Sequence, residues 1–321
     1  MKVFITQQIE QEAIELLKSK GIEISCTGKD GPLTRQEFLE GIKNADAVIM
    51  VWHTEMMNKE AFEYAKKLKI VARRGVGFDN IDIAEARRRG IYVTVTPVHT
   101  DTIADLTFGL IINAARRIPQ ADAYVRSGQW KEGGTQVARL FMGFDVHDKT
   151  IGIIGFGRIG KLVAHRALGF SMKVYYYDVN KQPDAEKELN VEYASLDQIY
   201  KQCDFISINC ALTEGTRHLI NREAIAKMKK NAVVVCTARG GIVDEKALYD
   251  ALRNGQLGGA GLDVFDPEPI SSDNPLLTLN NVVFTPHLGT SVYDTRVKMV
   301  VTAAEDIIRV FSGEKPLYPL N

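Results

Sequence analysis

The chain has 321 residues, which is more than one compact hydrophobic core usually holds, so we expect about two domains. Apolar residues make up 45% and charged residues 25%, a composition that excludes wholesale disorder and collagen-like repeats. Basic and acidic residues number 40 each, and the formal net charge of zero gives no general attraction to nucleic acid or acidic membranes. The composition therefore favours a small-molecule ligand.

The cysteines and the apolar stretches bear on the cellular compartment. Cys26, Cys203, Cys210 and Cys236 form no CxxC pair and no metal-binding spacing with histidine. This pattern predicts reduced thiols and neither a disulfide framework nor a metal site. We expect no signal peptide, and the apolar stretches are too short for a membrane span. The sequence therefore predicts a cytoplasmic protein with no nucleic-acid or membrane partner.

Short apolar segments alternate with helix-like segments through residues 1–97. The helix-like segments are rich in Glu, Lys and Ala, and the first has apolar residues at helical spacing between Ile9 and Leu17. Strands that alternate with helices of this length are typical of parallel βαβ units. The predicted strands cover residues 3–6, 22–25, 47–51, 70–72 and 91–95.

A helix and a second alternating block follow. Residues 101–117 predict one amphipathic helix, which Pro119 should end or kink. The second block covers residues 150–284, and residues 291–311 are again helical. The predicted strands of the second block cover residues 151–154, 174–177, 205–208, 232–236, 259–262 and 282–284.

The two alternating blocks predict two α/β domains with parallel sheets. Pro97 closes the first block and Pro286 follows the second, so we expect the chain to cross between the domains near these prolines. Residues 1–98 and 289–321 are predicted to form one discontinuous domain, which the C-terminal helix completes. Residues 99–288 are predicted to form the other domain.

A glycine-rich turn follows the first strand of the second block. It fits the GxGxxG pattern, whose glycines allow a tight turn, a close approach of a pyrophosphate and close packing of helix on strand. Asp178 ends the next strand, where a carboxylate accepts hydrogen bonds from a ribose diol and repels a 2′-phosphate. We therefore predict an NAD site formed by Gly155, Gly157, Arg158, Ile159, Gly160 and Asp178. A glycine-rich turn without a ligand is the alternative, and Lys181 is the nearby residue that would favour a phosphate.

Polar residues follow the last three predicted strands, where open α/β sheets bind their ligands. They are Arg239, Asp263 and His287, and Glu268 lies between the last two. The planar guanidinium of an arginine binds a carboxylate and polarises a carbonyl. A histidine donates a proton, and a neighbouring carboxylate stabilises its protonated form. These residue types beside a nicotinamide predict the reduction of a 2-oxo acid. Taken singly, Arg239 could instead be an arginine of an ion pair, His287 a histidine of the core, and Glu268 a solvated loop acid.

Six segments carry a family resemblance. They are GIIGFGRIG at 152–160, LTEGTRHLI at 212–220, TARGGIVDEKAL at 237–248, GLDVFDPEP at 261–269, TPHLGTS at 285–291 and RRGVGFDNID at 73–82. With them the chain resembles the D-isomer-specific 2-hydroxyacid dehydrogenases over essentially its whole length. The resemblance implies a Rossmann-type NAD-binding domain, a flavodoxin-like substrate domain and a homodimer built on the NAD-binding domains. It also implies Arg239, Glu268 and His287 as the catalytic set.

Other residues of these segments are expected to contact the ligands. Further cofactor contacts are predicted for Thr237, Ala238, Asp263 and Gly289, where Asp263 orients the cofactor or the histidine. Small residues in RRGVGFDNID let backbone amides approach a carboxylate. The predicted substrate contacts are Trp52, His53, Arg74, Gly75, Val76 and Gly77. A plain strand-to-helix turn and a surface aromatic are the alternatives there.

These features together predict an NAD-dependent D-2-hydroxyacid dehydrogenase. It would reduce a small 2-oxo acid to the D-2-hydroxy acid, and residues 274–287 and 100–110 most resemble glyoxylate/hydroxypyruvate reductases. The alternative from another class is a corepressor-like, NAD-sensing interaction protein with little turnover, because such proteins keep the same three residues. Formate dehydrogenases pair the histidine with Gln, and Glu268 argues against that activity.

Overall fold

The computed structural model describes residues 1–29, 31–98, 100–131 and 135–321. The chain divides into two compact units, Met1–His99 with Thr290–Asn321, and Thr100–Gly289. The first unit thus combines both ends of the chain, whereas the second is continuous. The predicted start of the second domain at residue 99 lies outside the described residues.

The first unit is a five-stranded parallel sheet with helices on both faces. Its elements are β1 (Lys2–Ile5), α1 (Gln11–Ser19), β2 (Glu23–Cys26), α2 (Arg35–Ile42), β3 (Ala47–Met50), α3 (Lys59–Tyr64), β4 (Ile70–Arg73), α4 (Ile83–Arg88), β5 (Tyr92–Val95) and the C-terminal helix (Tyr293–Phe311). The strand order β2-β1-β3-β4-β5 is that of flavodoxin. This order confirms the predicted flavodoxin-like sheet.

Successive side chains of the buried strands point to opposite faces of the sheet, so the core of this unit lies on both faces. Val48 packs in one cluster with Phe38 and Phe62 of α2 and α3. Its neighbour Ile49 packs in the other cluster with residues of α1 and the C-terminal helix, including Ile307. The C-terminal helix therefore completes the core of the first unit.

The second unit contains a seven-stranded parallel sheet. Its elements are α5 (Thr100–Arg116), α6 (Ile118–Arg126), α7 (Thr135–Leu140), β6 (Thr150–Ile154), α8 (Arg158–Gly169), β7 (Lys173–Tyr177), α9 (Pro183–Leu189), β8 (Glu192–Tyr193), α10 (Leu196–Gln202), β9 (Phe205–Ile208), α11 (Arg222–Ala226), β10 (Val233–Cys236), α12 (Glu245–Arg253), β11 (Gly259–Leu262) and β12 (Val282–Phe284), with short 3₁₀ turns at Gly240–Ile242 and Pro275–Thr278. We label the C-terminal helix α13.

The strand order in this sheet is β12-β11-β10-β9-β6-β7-β8, and every pair is parallel. The order reverses direction between β6 and β9, and such a switch point opens a crevice at the carboxyl ends of the strands. The topology confirms the predicted Rossmann-type domain. It places the loops after β6, β7, β10, β11 and β12 at one edge of the sheet.

The observed elements differ from the predicted ones mainly outside the sheets. The helix predicted for residues 101–117 ends at Arg116, because Arg117 adopts a left-handed φ of 53° and Pro119 lies at the start of α6. The C-terminal helix begins at Tyr293, two residues later than predicted, because Val292 is extended. The sequence did not indicate α6, α7 or the two-residue strand β8 as separate elements. Among the described residues, none of the helices combines the length and apolar character that a membrane crossing needs.

Candidate active site

Two glycines of the turn after β6 have no room for a side chain. Gly155 has a φ of +92°, which L side chains rarely adopt, and a Cβ there would collide with the backbone nitrogen of Cys210. A Cβ at Gly160 would collide with the carbonyl oxygen of Gly155. Helix α8 can therefore approach the end of β6 only because Gly160 lacks a side chain, and the loop after β9 can pack on the turn only because Gly155 lacks one.

The second glycine of the motif, Gly157, faces open space. Gly157 is the N-cap residue of α8, and a Cβ added to it would meet nothing within 4 Å. The first amides of this 12-residue helix have no intrahelical acceptors, and the helix dipole adds positive charge there. Arg158 and Ile159 form its first turn, with Arg158 exposed and Ile159 partly buried. This arrangement fits the pyrophosphate of a dinucleotide.

Asp178 lies directly after β7, beside the glycine turn. Its Oδ2 accepts a 2.7 Å hydrogen bond from the backbone N–H of Phe156, and its Oδ1 accepts one from Asn180 at 3.2 Å. The nearby Lys181 places its Nζ 4.6 Å from the ring centroid of Tyr193. The carboxylate is therefore fixed at the position where dinucleotide-binding folds meet a ribose, and the ammonium group stacks on β8.

Asp263 fixes the loop that carries His287. Asp263 is 1% exposed, and its Oδ1 accepts hydrogen bonds from Thr285 Oγ1 at 2.6 Å and from the backbone N–H of Leu288 at 2.7 Å. Its Oδ2 accepts from Gly289 N–H at 3.0 Å. Burial raises the pKa of the Asp263 carboxyl, and these donors oppose that rise. The side chain thus orients the histidine loop, while its predicted contact with the cofactor stays a prediction.

Glu268 and His287 form a direct pair. Glu268 Oε2 lies 2.8 Å from His287 Nδ1, and Glu268 Oε1 accepts a 3.0 Å hydrogen bond from the backbone N–H of Phe265. The Glu268 side chain is 16% exposed and that of His287 is 41% exposed. A carboxylate only accepts hydrogen bonds, so Nδ1 carries the proton. The Phe265 amide therefore holds the largely buried Glu268 carboxylate, whereas the His287 imidazole is exposed at the surface of the second unit.

Arg239 lies on the turn after β10, and this turn packs on the loop that carries Glu268. The Arg239 side chain is partly buried and donates to the carbonyl oxygen of Ala238 at 2.8 Å. The next residue, Gly240, is buried, and a Cβ there would collide with the backbone of Phe265. Thr237 Oγ1 lies 2.9 Å from Thr107 Oγ1 on α5. The structure thus brings the loops of Arg239 and Glu268 into contact.

The predicted substrate segment belongs to the first unit and follows β4. Gly75 has a φ of +132°, and its N–H donates to Thr96 Oγ1 at 2.8 Å. The carbonyl oxygen of Gly77 accepts from Arg73 Nε at 3.1 Å. Burial lowers the pKa of the Arg74 guanidinium, and the Glu10 carboxylate opposes this effect. Arg74 stays cationic at neutral pH, beside a glycine-rich turn that is held at both ends.

Trp52 and His53 follow β3 in the same unit. Trp52 is 37% exposed, and the two ring centroids lie 6.3 Å apart. Asn80 Nδ2 donates to the carbonyl oxygens of Trp52 at 3.3 Å and Glu55 at 2.6 Å. Asn80 therefore ties the Trp52 loop to the segment after β4.

Sequence reasoning missed the roles of Thr285 and Asn80. Both lie in segments that carry the family resemblance, TPHLGTS and RRGVGFDNID, but their hydrogen-bond partners are distant in sequence. A hydroxyl at the end of β12, next to an acid at the end of the neighbouring β11, is the signal that could have indicated the Asp263–Thr285 contact.

Comparisons with known proteins agree with this geometry. The family described as "D-isomer specific 2-hydroxyacid dehydrogenase, NAD binding domain" matches residues 108–289. A glyoxylate reductase of Korarchaeum cryptofilum is 44% identical over 98% of this chain and 94% of its own length. The crystal structure of a Thermus thermophilus protein superposes with a TM-score of 0.94 at 38% identity, covering 100% of both chains. A glyoxylate reductase from Paecilomyes thermophila superposes with a TM-score of 0.87 at 30% identity, covering 100% of this chain and 98% of its own.

These similarities confirm three predictions from the sequence. They are the dehydrogenase class, the nicotinamide dinucleotide as cofactor in the broader sense of NAD(P), and a small 2-oxo or 2-hydroxy acid as the kind of substrate. The relatives named here as glyoxylate reductases are enzymes, so the interaction-protein alternative is not favoured. The chain is an NAD(P)-dependent oxidoreductase and belongs to the D-isomer-specific 2-hydroxyacid dehydrogenase family.

Proposed function

We propose that this enzyme reduces glyoxylate or hydroxypyruvate to the 2-hydroxy acid, of D configuration where the product is chiral, with NADH as the reductant. The observation that carries the proposal is the 2.8 Å Glu268–His287 pair at the carboxyl edge of a dinucleotide-binding sheet. Similarity to glyoxylate reductases over 98% of the chain supports the substrate class. A carbonyl reduction needs a proton donor at this place, and the pair supplies one.

The proposed roles of the chain's residues follow from their chemistry. A bound nicotinamide dinucleotide supplies the hydride. His287 donates a proton from Nε2 to the carbonyl oxygen, while Glu268 stabilises the imidazolium through Nδ1. Arg239 binds the substrate carboxylate with its planar fork and polarises the carbonyl. These three residues form the proposed catalytic set.

The preference for NADH over NADPH is proposed from the charge at the end of β7. The Asp178 carboxylate is fixed by Phe156 N–H and would repel a 2′-phosphate. Lys181, which would favour a phosphate, stacks on Tyr193 instead. The proposed cofactor contacts are Gly155, Gly157, Arg158, Ile159, Gly160, Asp178, Thr237, Ala238, Asp263 and Gly289.

The first unit is proposed to bind the substrate. The Gly75 N–H donates to Thr96 Oγ1 and the Gly77 carbonyl oxygen accepts from Arg73, so the turn is fixed and the backbone amides of Val76 and Gly77 are proposed to meet a carboxylate. This proposal follows the domain division inferred from the sequence, residues 1–98 with 289–321 for substrate and 99–288 for cofactor. The proposed substrate contacts are Trp52, His53, Arg74, Gly75, Val76 and Gly77.

A homodimer built on the cofactor domains is proposed from an exposed apolar surface. Helices α6 and α7 bury none of their own residues, and Val125, Leu140 and Met142 on and after them are 51%, 57% and 62% exposed. Large apolar side chains left exposed on helices that bury nothing of their own support a protein contact there. Sedimentation should give twice the chain mass, and Val125→Glu should shift the measured mass toward that of the monomer.

A cytoplasmic location is proposed because all four cysteines are free.

The substrate class is tested with a panel of acids. NADH oxidation should be measured with glyoxylate, hydroxypyruvate, pyruvate, 2-ketogluconate and branched 2-oxo acids. We expect the highest kcat/KM with the first two, because the chain is similar to a glyoxylate reductase over 98% of its length. His287→Asn should abolish turnover, whereas the exposed His147→Asn should not change it. A higher kcat/KM with a branched acid would contradict the proposed substrate class.

A further inference from the structure

The loop that carries Glu268 is anchored by the first residue of α12. Glu245 Oε1 accepts a 3.0 Å hydrogen bond from the backbone N–H of Asp266. Glu245 Oε2 accepts a 2.6 Å hydrogen bond from Asn274 Nδ2. The two oxygens of one carboxylate therefore hold the segment 266–274 at both ends, with Glu268 between them.

A second contact holds the same loop from the side of the 212–220 segment. Arg217 Nη1 lies 3.1 Å from Asp266 Oδ2, and the backbone N–H of His218 donates to the carbonyl oxygen of Gly241 at 2.9 Å. A Cβ at Gly241 would lie 2.9 Å from the same Asp266 oxygen. Asp266 is thus fixed through its backbone by Glu245 and through its side chain by Arg217.

The position of Asp266 controls the acid of the catalytic pair. Phe265, its neighbour in sequence, donates its backbone N–H to Glu268 Oε1 at 3.0 Å. That hydrogen bond leaves Oε2 of Glu268 directed at His287 Nδ1. A displacement of Asp266 would therefore move the Phe265 amide and change the orientation of the Glu268 carboxylate.

Glu245 is itself anchored on a regular element. It opens α12, where its negative charge is favoured by the helix dipole, and Asp244 caps the same helix by accepting from the Ala247 N–H at 3.0 Å. The buried face of α12, including Leu248 and Leu252, packs into the core of the second unit. The anchor is therefore rigid relative to the sheet that carries His287.

We propose that Glu245 is a positioning residue for the Glu268–His287 pair. It acts through Asp266 and Asn274 and contacts neither the substrate nor the cofactor. The inference rests on the proposed function, because it assumes that the pair transfers the proton. It gives a role to Glu245 of TARGGIVDEKAL and to Arg217 of LTEGTRHLI.

The test compares Glu245→Gln, Glu245→Ala and a control on the same helix. Glutamine keeps one acceptor oxygen but turns an NH₂ group toward the second donor, so the loop loses one of its two anchors. Asp250→Asn breaks the 2.6 Å ion pair with Arg222 and leaves both anchors of the loop in place. The pH dependence of reductive kcat, the KM for NADH and the Tm should be measured for each variant and for Glu268→Gln.

We expect Glu245→Gln and Glu245→Ala to lower kcat by about ten- to a hundredfold, the scale of an angstrom-sized misplacement of a reacting group. Their alkaline limb should move to lower pH, as in Glu268→Gln, with the KM for NADH unchanged. Asp250→Asn should keep the wild-type profile. If Glu268→Gln moves the limb and both Glu245 variants only lower the Tm, the positioning role is wrong and the proposed function stands. If Glu268→Gln leaves the limb in place, Glu268 does not stabilise the imidazolium, so this part of the proposed function is wrong and the positioning role fails with it.

Discussion

His287 Nδ1 lies 2.8 Å from Glu268 Oε2, and the backbone N–H of His287 donates to the carbonyl oxygen of Asp263 at 2.9 Å. The imidazole is thus held by a carboxylate on one side and its backbone by the end of β11 on the other. His287 has a φ of 55°, an uncommon conformation for a residue with a side chain. The local structure therefore fixes both the tautomer and the direction of the ring.

The first prediction concerns Glu268→Gln and the pH dependence of reduction. The carboxylate stabilises the protonated imidazole over the neutral one, and only the protonated form can donate to the carbonyl oxygen. Glutamine keeps the shape but removes the charge, so reductive kcat/KM should begin to fall at a lower pH than in the wild type. The rate on the low-pH plateau should change less than the position of the alkaline limb.

Oxidation of the hydroxy acid gives the internal control for this prediction, because it needs His287 neutral. The acid limb of the oxidative profile in Glu268→Gln should move to lower pH together with the alkaline limb of reduction. If neither the alkaline limb of reduction nor the acid limb of oxidation moves in Glu268→Gln, Glu268 has only a structural role.

The second prediction concerns the guanidinium of Arg239. Lysine keeps the charge but loses the planar fork that binds a carboxylate with two hydrogen bonds. Arg239→Lys should lower kcat/KM for the 2-oxo acid by about a hundredfold, about 3 kcal/mol of transition-state binding. The affinity for NADH should change little. Arg253→Lys, an exposed arginine of α12, is the matched control and should keep normal kinetics. Near-normal turnover of Arg239→Lys would exclude two-point binding by this side chain.

The third prediction concerns the choice between NADH and NADPH. Asp178→Ser removes the carboxylate at the end of β7, so the ratio of kcat/KM for NADPH to that for NADH should rise by at least about tenfold. Lys181→Met should leave the ratio close to that of the wild type, because Lys181 stacks on Tyr193. A wild-type enzyme that uses NADPH as well as NADH would contradict the role of Asp178 and direct attention to Lys181.

The fourth prediction concerns the thiols. Burial raises the pKa of Cys203 and Cys236 to about 12 and that of Cys210 to about 11. Only the thiolate reacts with alkylating agents, so these three should resist iodoacetamide at neutral pH. Exposed Cys26 should be modified, and mass spectrometry should find a single label on the native protein. Unfolded protein should take up four labels, and labelling of native Cys210 would show that the loop beside Gly155 opens.

The sheets could be predicted from sequence because their signals are local. Strands such as Ala47–Met50 and Val233–Cys236 are continuous apolar runs, as expected for parallel strands that are buried on both faces. The glycine turn was predictable because Gly155 and Gly160 lie where any Cβ would collide. The polar residues at the strand ends followed from the same strand assignments.

The parts that could not be predicted depend on contacts between distant residues. Helices α6 and α7 bury none of their own residues, and β8 has only two residues. The sequence left open whether Asp263 orients the cofactor or the histidine. Its bonds to Thr285, Leu288 and Gly289 appear only when β11 and β12 lie side by side.

The central claim is most directly tested by the product of hydroxypyruvate reduction. The purified protein should consume NADH and hydroxypyruvate in equal amounts and release D-glycerate, which chiral chromatography separates from L-glycerate. We predict saturable turnover with the D enantiomer as the sole product, and loss of that turnover in His287→Asn. NADH binding that changes the association state without consuming NADH, or release of L-glycerate, would contradict it.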